Sequence, residues 1–306
     1  MKRTIAVLLL VGATMLSVTS GFSKEPRSDR QWASKTETTD LTTEQSMDVE
    51  LDLSIVDLHL AKASGDQAYN VDLRYFSKYF EPLVSYSVRG DNGFLELGME
   101  HDPSITDHAD LEDLFKGVGS SSDKGATHNQ WNVLLTDRIP LEISADLAMG
   151  KGDFDLSGLR VQDLKIDAGF SDVSVKFDTP NPVEMDRLAV EAGLGSFKLE
   201  KLGNASARTV SIEVGLGSGT IDLSGPLPKN LSVKMDVGLG SMELLIPRGT
   251  QVKIHCDCSF LSSVEFDDFQ KKGDSTYLSP GFDESQDYVS LDLSVGLGSA
   301  TVKWIE

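Results

Sequence analysis

A five-residue motif, Val-Gly-Leu-Gly-Ser, constrains the fold of this 306-residue chain more than any other feature. Three copies are identical, one has a single change, and three are looser. In chain order the seven segments occupy 147–151, 168–172, 192–196, 214–218, 237–241, 258–263 and 295–299. The second glycine-like position of five successive copies (150, 171, 195, 217 and 240) advances by 21, 24, 22 and 23 residues. A near-constant period of this size is typical of stacked arrays in which no repeat folds alone.

Apolar residues alternate with polar ones on both sides of each motif. Before Gly217 the apolar positions are 210, 212, 214 and 216, and after it the alternation resumes one residue out of phase at 221 and 223. Period two indicates a β-strand with one buried face. Glycine suits a bend that needs unusual backbone angles or a close approach between chains. Each repeat is therefore predicted as strand, corner, strand and return loop, with all of these apolar positions facing inward.

Stacked in register, these units predict an all-β, β-solenoid-like protein with repeats of about 22 residues. An ordinary β-sandwich of short strands is the alternative, but a sandwich gives no reason for the same motif at every corner.

The beginning of the chain reads as an export signal. Residues 1–23 combine the charged pair Lys2 and Arg3 with an apolar stretch from Ile5 and small residues before a cleavage site. Residues 24–46 are polar and Ser/Thr-rich, which predicts a flexible linker. No later segment is apolar enough to cross a membrane. We therefore expect an exported protein, in the periplasm or at the cell surface, without a transmembrane span after signal cleavage.

Three further segments complete the predicted organisation. Residues 47–100 form an N-terminal β domain in the same stack, because apolar positions 49, 51, 53 and 55, followed by 58 and 60, repeat the phase change of a corner. Residues 101–128 are acidic and rich in Ser and Gly, which indicates a long loop. Residues 129–306 form the repeat domain.

The net charge of the chain limits the kinds of molecule that it can bind. The chain has 48 Asp and Glu against 28 Lys and Arg, a formal net charge of −20. This balance argues against nucleic acid and anionic lipid as ligands. Partners should be neutral or cationic, unless metal ions intervene.

A column of carboxylates is the most suggestive chemical feature. Four residues before each corner the chain carries an acidic side chain, at a position that the apolar alternation predicts to face outward. These predicted binding residues are Asp146, Asp167, Glu191, Glu213 and Asp236. Stacking would place them about 4.8 Å apart, and like charges that face each other are destabilising. Calcium or a basic partner would offset the repulsion, and the sequence supports no other cofactor.

Bare backbone should lie beside the carboxylates. A nearly all-glycine column follows them at Gly169, Gly193, Gly215, Gly238 and Gly296. The two columns together predict a docking strip for an extended segment or a cation. The alternatives are a solvated face that Lys165 and Lys234 screen, and glycines that serve only tight packing at the corner.

The two cysteines, Cys256 and Cys258, share one parity and are predicted as free thiols in the core. A disulfide formed after export is the alternative. Two histidines, His101 and His108, lie in or beside the acidic loop, but no metal-ligand spacing accompanies them.

Enzyme signatures are missing from the sequence. It contains no nucleophile elbow, no phosphate-binding loop with its lysine, and no His-Glu-x-x-His motif. Parallel β-helices include polysaccharide lyases and hydrolases, but the many carboxylates of this chain single out no acid–base pair. The sequence therefore predicts a protein that is not an enzyme.

Several segments resemble a known family. The N-terminal part of the chain looks like the N-terminal domain of toast-rack envelope proteins. The resemblance lies in the segments 57–60, 70–75 and 81–86 and in the turn at Gly93. The C-terminal part of the chain resembles the C-terminal domain of LiaF-like proteins, the cell-wall-active antibiotic response family. The resemblance lies in the Gly-x-Gly-Ser units and in the segments 262–266, 273–282 and 295–302. The resemblance implies an all-β stack and, by analogy, negative regulation of an envelope-stress sensor. LiaF-type regulators carry transmembrane helices ahead of this domain, and this sequence has only a signal peptide in their place.

The predicted function is that of a non-enzymatic cell-envelope protein, an interaction or regulatory module linked to envelope or cell-wall stress. Its partner would be an envelope protein, in particular a membrane sensor, bound along the acidic and glycine columns or by strand addition at a last coil that ends in Trp304. The alternative is a structural or adhesin-like surface protein that self-associates or binds surface polymer.

Overall fold

The alternation of apolar residues produces strands that turn one face to a shared core. The computed structural model describes residues 32–77, 80–101 and 129–306. Within these ranges it contains eighteen strands and a single short 3₁₀ helix, Leu202–Ala205. The predicted all-β class is confirmed.

The strands are numbered in the order in which they follow one another along the chain. They are β1 (Trp32–Asp40), β2 (Ser46–Lys62), β3 (Gln67–Phe76), β4 (Phe80–Arg89), β5 (Asn92–His101), β6 (Asn129–Leu135), β7 (Leu141–Asp155), β8 (Val161–Lys176), β9 (Met185–Glu200), β10 (Ala207–Asp222), β11 (Ser232–Val237), β12 (Ser241–Pro247), β13 (Val252–Cys258), β14 (Ser263–Phe266), β15 (Gln270–Lys272), β16 (Thr276–Leu278), β17 (Val289–Val295) and β18 (Ser299–Ile305).

Five long strands, β2 and β7 to β10, run through a corner and pair in parallel with their neighbours on both sides of it. The segments before the corners form a first sheet, ordered β4-β5-β2-β7-β8-β9-β10-β11-β17-β13-β16-β15. The segments after the corners form a second sheet, ordered β1-β3-β6-β2-β7-β8-β9-β10-β12-β18-β14. Both sheets bury their apolar faces in one hydrophobic core. The predicted solenoid-like stack is therefore confirmed.

The N-terminal region joins the same stack. Strand β2 pairs with β7 from Met47 opposite Leu141 to Leu60 opposite Phe154, which confirms the predicted first coil. The described residues from 32 onward form one compact unit, so the described parts of the predicted segments 47–100 and 129–306 share one core.

The corner differs from the prediction at its leucine. Val214 and Ile221 are buried as predicted, but Leu216 between them is 44% exposed. Between the buried residues Val214 and Gly219 the chain turns over four residues, 215–218. The two buried positions are five residues apart, and this odd number produces the change of phase in the apolar alternation. The leucine of Gly-Leu-Gly-Ser therefore lies on the outside of the corner. The apolar alternation predicted that Leu216 faces inward, because the prediction assumed that the chain bends at a single residue.

Glycine is required at the corners because successive backbones approach each other there. A Cβ atom on Gly217 would lie 2.1 Å from the carbonyl oxygen of Gly195, and one on Gly215 would lie 3.0 Å from that of Gly193. Each corner thus packs its bare backbone against the carbonyl groups of the corner before it. The tight-packing explanation of the glycine column is confirmed.

The order of coils in the stack differs from their order in the sequence. The last coil, β17 and β18, lies between the coil β11–β12 and the coil β13–β14. Gly298 packs on Gly240, in the same way as the earlier corners. The coil β13–β14 has no glycine at its corner and takes the position at the end of the stack, where it turns through Ser259–Ser262. The last coil is therefore not the exposed end of the stack that the prediction of strand addition assumed: β17 is paired on both sides, and β18 is paired on both sides from Ser299 to Val302.

The predicted linker 24–46 contains a strand where the structure describes it. Strand β1 pairs antiparallel with β3 along its whole length, and Trp32 packs edge-on against Phe76 with ring centroids 5.4 Å apart. This strand has no buried face, so its sequence lacks the apolar alternation that identifies the other strands. The predicted signal peptide, 1–23, and most of the acidic loop, 101–128, lie outside the described residues.

Cys256 and Cys258 are joined by a disulfide, so the prediction of free thiols is wrong. Their Cα atoms are 5.4 Å apart, within the range of about 4.4–6.8 Å that a disulfide spans. Strand β13 ends at Cys258, where the chain leaves the extended conformation for the turn Ser259–Ser262.

Replacing Gly217 with alanine should destabilise the fold strongly. The new methyl group would overlap the carbonyl oxygen of Gly195, and the loss should be about 3 kcal/mol. Urea unfolding followed by tryptophan fluorescence measures it. Gly98→Ala is the matched control, since its methyl group would lie 3.6 Å from Leu83, an ordinary contact. Equal midpoints for both variants would contradict the packing described for the corner.

A buried carboxylate connects the loop after β1 to β4. Glu44 accepts hydrogen bonds from the Thr42 backbone N–H at 2.6 Å and from the Tyr86 hydroxyl at 2.7 Å. Burial acts to raise the pKa of Glu44, but hydrogen bonds, that of Tyr86 foremost, outweigh it and lower the pKa below its ordinary value. A lowered pKa in the folded state means that the carboxylate stabilises the fold above its unfolded pKa. This contribution is lost as the pH falls through the folded pKa.

Glu44→Gln should therefore lower the free energy of unfolding at pH 7 by about 1–3 kcal/mol. The difference from the wild type should shrink as the pH falls through the lowered pKa, because the wild-type carboxylate is then protonated too. Urea midpoints measured between pH 3 and 7 test this, with the exposed Glu50→Gln as control. A difference that grows on acidification would show that the sign is wrong.

Candidate binding groove at the coil corners

The five predicted carboxylates form a continuous row across the first sheet. Asp146 lies opposite Asp167, Asp167 opposite Glu191, and Glu191 opposite Glu213. Asp236 pairs with Glu213 and continues the row, and Asp52 lies at its other end opposite Asp146. The structure thus brings together every residue of the predicted row. It ends at β17, where Ser294 lies opposite Asp236.

Two lysines neutralise part of this row, as the solvated-face alternative expects. Lys165 donates to Asp167 at 2.6 Å, and Lys234 donates to Asp236 at 2.5 Å. These hydrogen bonds raise the pKa of both lysines. Within the described ranges, Asp146, Glu191 and Glu213 make no ion pair with a basic side chain. The middle of the row is therefore only partly neutralised, since Lys165 attracts Glu191 and Lys234 attracts Glu213 without a direct ion pair.

Asp167 retains one unsatisfied oxygen. Its Oδ2 atom accepts from Lys165, whereas its Oδ1 atom is buried and has no hydrogen-bond partner among the described residues. A buried acceptor without a donor is costly.

A shallow groove of about 330 Å³ follows the row. Its floor is the glycine column, and the carboxylates stand along one side of it. We call it the corner groove. The structure lines it with Asp146, Ala148, Asp167, Ala168, Gly169, Glu191, Ala192, Gly193, Glu213 and Gly215.

Next to the glycine floor, one residue further along each chain segment, lies a row of exposed apolar side chains, which we call the corner ridge. Its members are Phe170, Leu194, Leu216, Leu239 and Leu297. Phe170 pairs with Leu194 and Leu194 with Leu216, and backbone hydrogen bonds from Leu239 to Gly215 and from Leu297 to Gly238 continue the register. The sequence analysis did not predict this ridge. The leucine between two glycines could have indicated it, because a glycine has no side chain that could cover its neighbour.

The structure offers little for metal chemistry in its described parts. Within them, no group of three or more His, Cys, Asp and Glu side chains is arranged to hold an ion. The side chains of His101 and His108 lie outside the described residues. Calcium binding along the carboxylate row stays a prediction.

A second concavity, of about 510 Å³, lies at the other end of the stack and is lined in part by His59, Arg74 and Trp131. The His59 Nδ1 atom lies 2.9 Å from Asp153 Oδ2. Among the described residues, no hydroxyl or thiol group hydrogen-bonds to the His59 ring.

The chain belongs to the toast-rack family: the model of the N-terminal domain of toast_rack, DUF2154, matches residues 27–200. The predicted toast-rack resemblance is confirmed, and the match continues past the predicted boundary at residue 100, through β9. The resemblance of the C-terminal end to LiaF-like proteins stays a prediction. Curated proteins give no match to the chain.

Solved structures give distant similarities. A "putative cell adhesion protein" from Clostridium sporogenes is 17% identical with a TM-score of 0.42, covering 90% of this chain and 100% of that one. A "putative adhesin" from Bacteroides fragilis is 12% identical with a TM-score of 0.36, covering 89% of this chain and 97% of that one. Among the described residues, no helix has the length and apolar character needed to cross a bilayer.

Truncating a ridge leucine should cost little stability. Leu216→Ala should change the free energy of unfolding by less than about 1 kcal/mol, since the side chain is already largely hydrated. Leu244→Ala, at a fully buried position of β12, should cost about 2–5 kcal/mol. Urea unfolding of the two variants measures the difference. A large loss for Leu216→Ala would place that leucine inside the core and overturn the geometry of the corner.

Proposed function

We propose that this protein is a non-enzymatic interaction module of the bacterial cell envelope that binds a protein partner along the corner groove. The observation that carries the proposal is the in-register row of carboxylates beside a bare glycine floor. Opposed like charges are destabilising in a sheet, and a cationic or hydrogen-bond-donating partner would relieve this repulsion. The leading specific role is modulation of an envelope-stress sensor, which the LiaF-like end of the sequence implies.

Two features of the groove support binding over mere solvation. Glu191 and Glu213 make no direct ion pair within the described ranges, and the lysine near each of them is already bonded to an aspartate. The groove floor consists of glycine backbone, so a partner could approach the main chain closely. A surface that only faced solvent would not need both.

Export of the protein and its position in the envelope are part of the proposal. The predicted signal at residues 1–23 supports them, as does the net charge of −20, which favours a cationic partner over an anionic polymer.

A self-associating, adhesin-like surface protein is the second candidate from the sequence, and the ends of the stack bear on it. The first sheet ends in β15, a three-residue strand that contains Lys271 and Lys272. Short, lysine-bearing edge strands oppose strand-to-strand association. The structure thus offers little support for end-to-end stacking at this edge. A mass that rises with concentration in light scattering would favour this candidate nonetheless.

Neutralising the centre of the row should abolish partner capture. The variant combines Asp167→Asn, Glu191→Gln and Glu213→Gln. Crosslinking in the native cells, with and without a cell-wall-active antibiotic, should capture a membrane sensor or its accessory protein with the wild type and lose it with this variant. The capture should change with the drug.

The control combines Asp153→Asn, Asp178→Asn and Glu265→Gln, which changes net charge equally but lies outside the groove. Because the row variant loses repulsion between neighbours, its unfolding midpoint should equal or exceed that of the wild type. Capture that survives in the row variant would refute binding through the groove.

A further inference from the structure

The corner ridge is a contiguous apolar surface that the core does not account for. Its side chains are between 36% and 61% exposed, and the turn at the end of the stack extends it with Phe260, which is 93% exposed, and Leu261. The turn lies against the last corner, since Ser259 donates to Val295 and Ser263 donates to Gly298. Soluble proteins rarely leave such rows uncovered unless the row binds something.

Neither packing nor turn geometry explains an apolar residue at these positions. The two flanking glycines are needed for the close approach between coils, and Val214 and Ile221 fill the core beneath the corner. Leu216 itself points away from that core. A serine there would serve the corner equally well and would improve solubility, so the apolar side chain indicates a contact with another molecule.

The charge beside the ridge specifies the character of that molecule. In four coils a carboxylate stands three residues before the ridge side chain, as Glu191 stands before Leu194 and Glu213 before Leu216. The glycine floor lies between the two rows. An occupant that covers both rows must therefore present positive charge to the carboxylates and apolar side chains to the ridge. This pattern is that of a basic amphipathic segment.

The spacing of the coils favours a helix over a strand in this groove. Neighbouring coils are about 4.8 Å apart, close to the 5.4 Å pitch of an α-helix. A strand lying along the stack repeats its faces only about every 6.6 Å and would lose register after one or two coils. From Phe170 to Leu297 the ridge makes four steps, about 19 Å, which a helix of about 13 residues spans.

We propose that the corner groove binds a basic amphipathic α-helix of a partner protein, with apolar residues on the corner ridge and Lys or Arg on the carboxylate row. This inference rests on the proposed function and names the segment by which the partner is recognised. Leu194, Leu216 and Leu239 provide the central apolar contacts, and Glu191 and Glu213 provide the central charges. A bilayer surface fits less well, because the carboxylate row would repel anionic headgroups.

Binding of a designed peptide tests the inference with the full-length protein. The probe is a fluorescein-labelled peptide of Leu and Lys, about 18 residues long so that it spans the ridge with a turn to spare, with its leucines on one helical face. Two control peptides are used, one with the same composition in strict alternation and one with Glu in place of Lys. Fluorescence anisotropy at several salt concentrations should show binding of the helical Leu/Lys peptide alone. Circular dichroism should show that it becomes helical on the protein.

Two groove variants should weaken that binding in different ways. Leu194→Ser with Leu216→Ser should reduce affinity at least tenfold at every salt concentration. Glu191→Gln with Glu213→Gln should reduce it several-fold at low salt and flatten its salt dependence, because screened charge pairs are removed.

Matched controls keep the result specific. Val88→Ser alters an exposed apolar residue away from the groove, and Asp178→Asn with Glu265→Gln alters equal charge elsewhere. Both should bind the peptide as the wild type does. Unfolding midpoints of all variants show that each is folded.

Several outcomes would overturn the helix inference. These are equal binding of the alternating peptide, wild-type affinity in the Leu194/Leu216 variant, or no peptide binding at all. Ridge-dependent cosedimentation with phosphatidylcholine/phosphatidylglycerol vesicles, without peptide binding, would assign the ridge to a bilayer. A ridge-dependent dimer in light scattering would assign it to a second copy.

Failure of the helix inference and failure of the proposed function give different results. If row-dependent capture of an envelope protein persists while the helical peptide does not bind, the groove recognises another kind of segment and only the helix inference fails. If the peptide binds through both rows but no envelope partner is captured through the groove, the proposed function fails and the helix specificity stands.

Discussion

Close contact between backbones at the glycine corners is the constraint on which the rest of the structure depends. Each corner rests on the carbonyl groups of the one before it, at distances that leave no room for a Cβ atom. This contact fixes the register of the coils that carry these glycines. Because the register is fixed, residues at equal distances from the corner form straight rows. The carboxylate row, the glycine floor and the corner ridge are all consequences of that one contact.

Rows of this kind change how weak interactions contribute to binding. A single exposed carboxylate or leucine contributes little by itself. Repeated over five coils at constant spacing, the same groups present a continuous surface to a partner with a matching period. The carboxylate and glycine rows do not continue to the turn Ser259–Ser262, which extends only the apolar ridge through Phe260 and Leu261. The surface that combines charge, bare backbone and apolar side chains is thus confined to the middle of the molecule.

Much of this architecture could be predicted from the sequence, and the failures have physical causes. Alternation identified the strands of every coil, including β2, because a half-buried strand must alternate. It could not identify β1, which buries neither face. The alternation also predicted that Leu216 faces inward, because alternation does not show over how many residues a corner turns. Chain order suggested that the last coil is terminal. The glycines of that coil instead suit a position with neighbours on both sides, and the coil β13–β14, whose corner lacks glycine, takes the end.

The candidate site was predictable in part for the same reason. The carboxylates follow from a count of residues back from each corner, and the register of the strands places them in one row. The corner ridge depends on the direction of one side chain within the corner, which no periodicity specifies. The pairing of Cys256 with Cys258 likewise depends on where β13 ends.

The register and order of the coils can be tested by disulfide trapping in a chain whose own two cysteines are replaced by serine. The structure predicts that Asp236→Cys and Ser294→Cys, which face each other on β11 and β17, crosslink readily on mild oxidation. Asp236→Cys with Asp257→Cys, two coils apart, should not crosslink. Efficient crosslinking of the second pair and none of the first would show that the coils stack in sequence order, which would contradict the arrangement that forms the ridge and the groove.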